Sequence, residues 1–317
     1  MILKISLGDL EDISTVVDKY QEFYKNEYNN PALDVMKQLK NLLTLKKRVI
    51  FALYDQTDHA IGFTVINPSE GEIRVLYVQD STEEEENIEY LMHERQLFNA
   101  AFTYLKDLTS HVRIATKLSA NLKKHIIKFG FQEFRRARLA IDRETVKALV
   151  SPKIDSAYIL TNWDSEYSFP IADLMAKYHY NDQHPDGTLF AKYRGVSECK
   201  DLIENIMTVK DGLFKDDCTG ILIHRNKVIG ACFSVIFSEQ GFIPEIILAS
   251  EYQGKGLGKA LLVHTIKKLT ENHSDLSKIE LNVTLINAAA LKLYKSVGFR
   301  EIDSYSVFIW NKIETDK

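Results

Sequence analysis

Between Gln253 and Lys259 the chain reads Gln-Gly-Lys-Gly-Leu-Gly-Lys, with an apolar, strand-like stretch before it and an apolar stretch of helical period after it. Such a strand-to-helix turn suits a polyanion. The first N–H groups of a helix have no acceptor within it, and they attract phosphate-like oxygens. Glycines at 254, 256 and 258 allow positive φ and remove the Cβ atoms that would hold a ligand away from the backbone. Lys255 and Lys259 add positive charge, and Gln253 adds an amide donor. Neither common nucleotide motif fits. The dinucleotide fingerprint is G-x-G-x-x-G, whereas the spacing here is G-x-G-x-G. A Walker A loop needs four residues between its glycines and Ser or Thr after its lysine; three separate Gly254 from Gly258, and Ala260 follows Lys259.

A second concentration of chemistry lies in the polar segment Tyr178-His-Tyr-Asn-Asp-Gln-His-Pro-Asp-Gly187. His179, Asp182, His184 and Asp186 have side chains that can hold a cationic substrate or relay a proton near neutral pH. No metal is expected, because no helical register aligns His179 with His184. Glu245, on the strand that leads into the glycine loop, reads either as a functional carboxylate or as a surface strand residue.

The elements that position these residues are legible from hydrophobic period. Residues 219–250 read as an antiparallel three-strand meander, with turns at Arg225-Asn226-Lys227 and Ser238–Gly241. Gly258, Leu262, Ile266 and Leu269 fall on one face of a helix. Residues 278–284 alternate as a half-buried strand, and a helix over 288–297 ends at Gly298. Helices are expected over 165–180 and 197–210. The first half of the chain repeats this order: a strand at 2–6, helices near 9–25 and 33–45, and strands at 49–54, 60–66 and 72–78. A long helix then covers about 86–108, with Leu97, Ala101, Tyr104 and Leu108 on one stripe. A strand at 113–118, a short helix at 120–129 and a final strand near 135–142 complete it. FGFQEF (129–134) echoes VGFREI (297–302). The pattern is an internal duplication of an α/β (α+β) unit, each copy a mixed, mostly antiparallel sheet flanked by helices, over 1–145 and 155–317 with a linker near 143–155.

The bulk properties exclude several classes. The chain has 317 residues, 45% hydrophobic and 26% charged, which suits a folded two-domain protein rather than a disordered one. Its net charge of −4 lacks the basic excess with which nucleic-acid binders neutralise phosphates. Cys199, Cys218 and Cys232 have no metal-binding or disulfide spacing. Charged residues at Lys4, Asp9, Glu11 and Asp12 interrupt any apolar leader, and no run is long enough to span a bilayer, so cytoplasm is the expected compartment.

Gln253-x-x-Gly256-x-Gly258 resembles the Q/R-x-x-G-x-G/A motif of the GNAT acetyltransferase superfamily. Asn287, Ala290, Leu293, Tyr294, Gly298 and Phe299 resemble that family's N-x-x-A-x-x-L-Y-x-x-x-G-F segment, in the right order and register. The resemblance implies an N-acetyltransferase that binds acetyl-CoA as co-substrate, with Gln253, Gly254, Lys255, Gly256, Leu257, Gly258 and Lys259 cradling the pyrophosphate. It implies that the Leu248 backbone N–H polarises the thioester, that Asn287 bonds the pantetheine arm and that Tyr294 is the general acid. Asn287 also suits a helix N-cap. Glu245 matches a place where part of the family keeps its general base, and the 178–187 loop would line the acceptor pocket. The implied reaction is direct attack by the primary amine of a small molecule. A protein amine as acceptor, or a non-catalytic acyl-CoA sensor, are the alternatives, and retention of Tyr294 disfavours the sensor. The first half departs from the motifs: Ile126 stands at the position of Tyr294, Ser119 at that of Asn287, and VQDSTEEEEN (78–87) has no glycine and carries Glu83–Glu86, which would repel a pyrophosphate. It reads as a degenerate copy, in a layout similar to that of mycothiol synthases.

Overall fold

The computed structural model describes residues 4–7, 13–28, 48–79, 88–180, 184–209, 212–237 and 239–312. The helix expected at 33–45 and the Glu83–Glu86 run lie outside the described residues. The chain divides into two compact units, Met1–Phe134 with Ser306–Lys317, and Arg135–Tyr305. The first unit is completed by the end of the chain, Ser306–Lys317, and the second is the continuous span Arg135–Tyr305.

In the first unit, β1 (Lys4–Leu7), β2 (Val49–Tyr54), β3 (Ala60–Asn67) and β4 (Glu72–Val78) form an antiparallel series. Here β4 pairs in parallel with β5 (His111–Ile114). The far side of β5 pairs with Phe308–Asn311, the end of the last strand of the chain. Helices α1 (Ser14–Tyr28), α2 (Ile88–Lys106) and α3 (Ala120–Ile127) complete the unit. The stripe that α2 buries runs through Leu97, Phe98, Ala101, Phe102 and Leu105. Leu108 lies past the end of the helix and is exposed.

The second unit begins within β6 (Gln132–Asp142), whose Ala137, Leu139 and Ile141 are buried at alternate positions. From Arg136 to Asp142 this strand pairs antiparallel with β14 (Lys278–Thr284). Residues 143–148, expected as linker, form α4 (Arg143–Ala148), capped by the Asp142 side chain on Thr145 N–H and anchored in the core by Val146. There follow β7 (Tyr158–Asn162), α5 (Ser168–Leu174), which continues as a wide π turn over Met175–His179, and α6 (Val196–Met207). Then come β8 (Leu213–Phe214), β9 (Gly220–His224), β10 (Lys227–Cys232), β11 (Val235–Phe237), β12 (Gln240–Ile243) and β13 (Ile246–Leu248). Helix α7 (Leu257–Asn272) precedes β14, and α8 (Ala288–Val297) precedes β15 (Arg300–Asn311).

The expected three-strand meander is broken twice. β10 and β13 pair with each other in a four-stranded sheet ordered β13-β10-β9-β7, whereas β11 and β12 belong to the sheet that contains β14. The breaks fall at Phe233-Ser234 and Pro244-Glu245, where a single bond from Phe233 N–H to the Glu245 carbonyl (2.9 Å) bridges them. Pro244 has no N–H to give to a ladder. Ser234 turns its N–H to the Thr219 hydroxyl instead, at 3.1 Å. The one strand-turn-strand segment therefore serves two diverging sheets. Leu257, Leu261, Leu262, Ile266 and Leu269 of α7 pack into a core with Leu139, Ile141, Ile279, Leu281, Val297 and Phe299. Each such fully buried aliphatic side chain contributes about 1.5–3 kcal/mol relative to exposure.

Candidate active site

Beyond β13 the chain makes one tight turn over Ser250–Tyr252 and then the glycine loop. Gly254 and Gly256 have φ of +75° and +77°, and a Cβ at either would meet no atom within 4 Å. The positive φ demands glycine, and the space beside both backbones is open. Gly256 is the N-cap of α7, and the first intrahelical bond, Ala260 N–H to the Gly256 carbonyl, is 3.0 Å long. The first-turn amides ahead of it face outward from the helix end. Gln253 donates to the Leu248 carbonyl at 3.4 Å, Lys255 to the Glu251 carbonyl at 3.0 Å and Lys259 to the Ser296 carbonyl at 2.9 Å. The loop is thus tied at its base to β13 and to the end of α8. Residues 253–256 are exposed.

Helix α8 carries the second group. Asn287 caps it, accepting from Ala290 N–H at 3.1 Å, and its amide nitrogen donates to Asp186 Oδ2 at 2.9 Å. Its cap role is observed, and its amide nitrogen is already occupied by Asp186. Tyr294 is buried beside Phe299 with ring centroids 6.0 Å apart. Burial, followed by the negative charges of Glu245, Cys232 and Asp186, drives its phenol well above the ordinary value, so it stays protonated. Gly298 closes the helix at φ +111°, with Phe299 N–H returning to the Tyr294 carbonyl at 3.1 Å.

Glu245 stands at the divergence of the two sheets. It is not a surface residue: its side chain is 10% exposed. Oε1 is 2.9 Å from His179 Nδ1 and accepts the Ile246 N–H at 3.1 Å, while Oε2 accepts the Tyr180 hydroxyl. Burial disfavours the His179 cation, but the charge and hydrogen bond of Glu245, with Asp186 beyond, outweigh it and raise the imidazole above its ordinary value. Burial and the neighbouring His179 hold His184 below its own. The Tyr180 phenol is pushed far up by burial and then by Glu245. His184 Nδ1 is 3.1 Å from the Asp186 N–H, which donates to it. Asp186 is 5% exposed, and its Oδ1 has no hydrogen-bond partner. Helical register does not align His179 and His184, but the π turn and the turn after it do: their ring centroids are 4.5 Å apart. Asp182 lies outside the described residues. Tyr180 went unnoticed in the sequence because a tyrosine in an aromatic-rich segment carries no local sign that its hydroxyl reaches a carboxylate 65 positions away.

Residues 158–299 match the family model described as the Acetyltransferase (GNAT) family. Among solved structures, the chain is similar to a GCN5-related N-acetyltransferase from Sphaerobacter thermophilus (TM-score 0.66, 11% identity, covering 98% of this chain and 96% of that one). It is also similar to a tandem GNAT protein from the clavulanic acid biosynthesis pathway (TM-score 0.60, 12% identity, covering 99% and 100%). At these identities the likeness establishes the fold, which is the mixed α/β fold of GNAT proteins. Among curated proteins, the [ribosomal protein bS18]-alanine N-acetyltransferase of Escherichia coli K12 is 32% identical over 80 residues, 25% of this chain and 53% of that protein. The chain spans about half the length of the curated relatives it matches. Among the described residues, no helix is long and apolar enough to cross a membrane.

Proposed function

We propose that the second unit transfers an acetyl group from acetyl-CoA to the primary amine of a small molecule by direct attack, and that the first unit is a structural copy without an acyl-CoA site. The observation that carries this reading is the loop at 253–258. A splayed strand delivers two positive-φ glycines, with open space beside them, to the start of a helix. Pyrophosphate oxygens fit against those amides, and Gln253, Lys255, Leu257, Gly258 and Lys259 frame them. The Leu248 N–H is assigned to the thioester carbonyl, and Asn287 to the pantetheine arm if Asp186 releases it.

The amine arrives as an ammonium ion with pKa near ~10 and must lose a proton. Glu245 is the base of this reading. A carboxylate has about four lone-pair sites; His179, Ile246 and Tyr180 take up to three of them, which leaves one on Oε2 for the proton, directly or through water. The amine nitrogen bonds to the acyl carbon, the carbon–sulfur bond breaks, and the thiolate leaves. Tyr294, kept protonated first by burial and then by its acidic neighbours, is the donor to that sulfur. Its raised phenol pKa lies above a thiol's, so its contribution is a strong hydrogen bond more than complete proton transfer.

Calorimetric binding of acetyl-CoA to wild type and to Gly256→Glu tests the site. Wild type should bind and the variant should not, with circular dichroism verifying that the variant, strained at φ +77°, still folds. No binding by wild type would sink the reading; binding justifies an amine panel for turnover. The Escherichia coli relative's name favours a second reading, in which the acceptor is a protein N-terminal amine. Turnover of peptides but not of free amines would select it.

A further inference from the structure

His179, His184 and Asp186 each place one ligand atom within 4.8 Å of the others. Three features set this apart from a chance meeting of polar side chains. Asp186 is 95% buried by its 5% exposure, yet Oδ1 has no donor; an unsatisfied buried carboxylate oxygen is costly and calls for a cation or a donor. The other oxygen is held at 2.9 Å by Asn287. His179 gives its Nδ1 to the Glu245 carboxylate at 2.9 Å, the arrangement in which a ligating imidazole is held by its second nitrogen while the first faces an ion.

We propose that His179, His184 and Asp186 bind one divalent transition-metal ion, Zn2+ by ligand preference, with Glu245 and Asn287 as the outer partners that orient His179 and Asp186. Two imidazoles and a carboxylate form a donor set that suits zinc. Donors about 2.0–2.1 Å from a tetrahedral ion lie about 3.4 Å apart, so modest side-chain rotation closes the set. His184 offers its lone pair on Nδ1, which now accepts the Asp186 N–H at 3.1 Å, so the ion replaces that contact. Three protein ligands leave a fourth position for water or for a donor atom of the acceptor. The ion would tie the π turn at Met175–His179 to the turn at 184–186 and, through Asn287, to the cap of α8.

The test uses the full chain, stripped with a chelator and titrated with Zn2+ by calorimetry and with Co2+ by visible absorption, no CoA present. Wild type should take one equivalent, with the d–d bands of a tetrahedral ion and no sulfur charge-transfer band. His184→Ala should lose that equivalent while its metal-free melting curve matches wild type, and Glu245→Gln should bind about 10–100-fold more weakly. A second group, Asp217, Cys218 and His273, also clusters within 4.8 Å, so His273→Ala serves as control and should keep the equivalent. Wild-type affinity no better than that of His184→Ala overturns the proposal. So does a sulfur band in the Co2+ spectrum, which needs no variant to fold, or binding lost in His273→Ala and kept in His184→Ala. Acetyl-CoA binding is measured separately on the metal-free chain, so its failure and the failure of the metal proposal are distinguishable.

Discussion

Both units place antiparallel strands ahead of a long helix, and they differ in how those strands pair. In the first unit β3 and β4 pair from Gly62↔Val78 to Asn67↔Glu72 with one register shift and stay in one sheet. In the second, the corresponding strands break at Phe233-Ser234 and Pro244-Glu245 and change sheets. The helices that follow later are also matched. Gly298 caps α8 at φ +111°, and Gly130, at φ +89°, lies past the Lys128 cap of α3; Phe131 and Phe299 return their N–H groups to the carbonyls of Ile126 and Tyr294 at 3.4 and 3.1 Å. At the cap, Ser119 accepts from Leu122 N–H and donates to Glu94, whereas Asn287 accepts from Ala290 N–H and donates to Asp186. The scaffold positions are the same; the polar partners are not. Divergence of two strands is what exposes Glu245 to His179 and Tyr180 and delivers the glycine loop to a helix start.

The sharpest way to break this comparison is at the matched pair Tyr294 and Ile126. If Tyr294 is the donor to the leaving sulfur, Tyr294→Phe should lower kcat by about 10²-fold or more with the KM for acetyl-CoA unmoved, because losing one positioned donor to developing negative charge costs that much. Unchanged turnover would reduce Tyr294 to a packing residue like Ile126. The reciprocal Ile126→Tyr should give no activity and should destabilise by about 1–3 kcal/mol, since Ile126 is fully buried.

A smaller effect is expected at the shared helix ends. Alanine at either glycine must hold positive φ, at about 1–2 kcal/mol. At Gly298 the new Cβ also meets Thr145 Cγ2 at 3.3 Å, whereas at Gly130 its nearest contact is an ordinary 3.7 Å to Trp310. Urea midpoints should therefore fall further for Gly298→Ala than for Gly130→Ala; the reverse order would mean that the two ends are not held alike.

The smallest effect concerns the first unit's buried carboxylate. Burial raises Glu94 above the ordinary 4.5, against the opposing hydrogen bonds from Ser119. An acid whose folded pKa is raised contributes stability that is complete below its unfolded value and is lost as pH climbs through the folded one. Glu94→Gln should match wild type in urea below about pH 4.5 and exceed it at neutral pH by on the order of 1 kcal/mol. Equal stability at neutral pH would show that the bonds from Ser119 compensate the buried charge.

Much of the second unit was legible in local spacing. The helix at 288–297 and its end at Gly298, the strand at 278–284 and the helix after the glycine loop all follow from apolar period and one φ-tolerant residue, and these depend on near neighbours alone. The broken meander was not legible, because Val228–Phe237 is apolar but for Ser234, and one serine in such a run does not mark where its ladder partner changes. Residues 143–148, expected within a linker, form a helix whose Val146 becomes core only against its neighbours in the second unit. The alternation in β6 suits any exposed sheet edge and does not say which strand lies beside it.

The glycine loop and the helix that carries Tyr294 follow from the sequence, because each is encoded within one or two turns of chain. Tertiary packing alone brings Asn287 to Asp186 across 101 positions, makes Tyr180 and His179 converge on Glu245, and completes the first unit with the last residues of the chain. Those contacts exist because buried polar groups and strand edges must find partners, and which partner is near enough depends on how the whole chain packs.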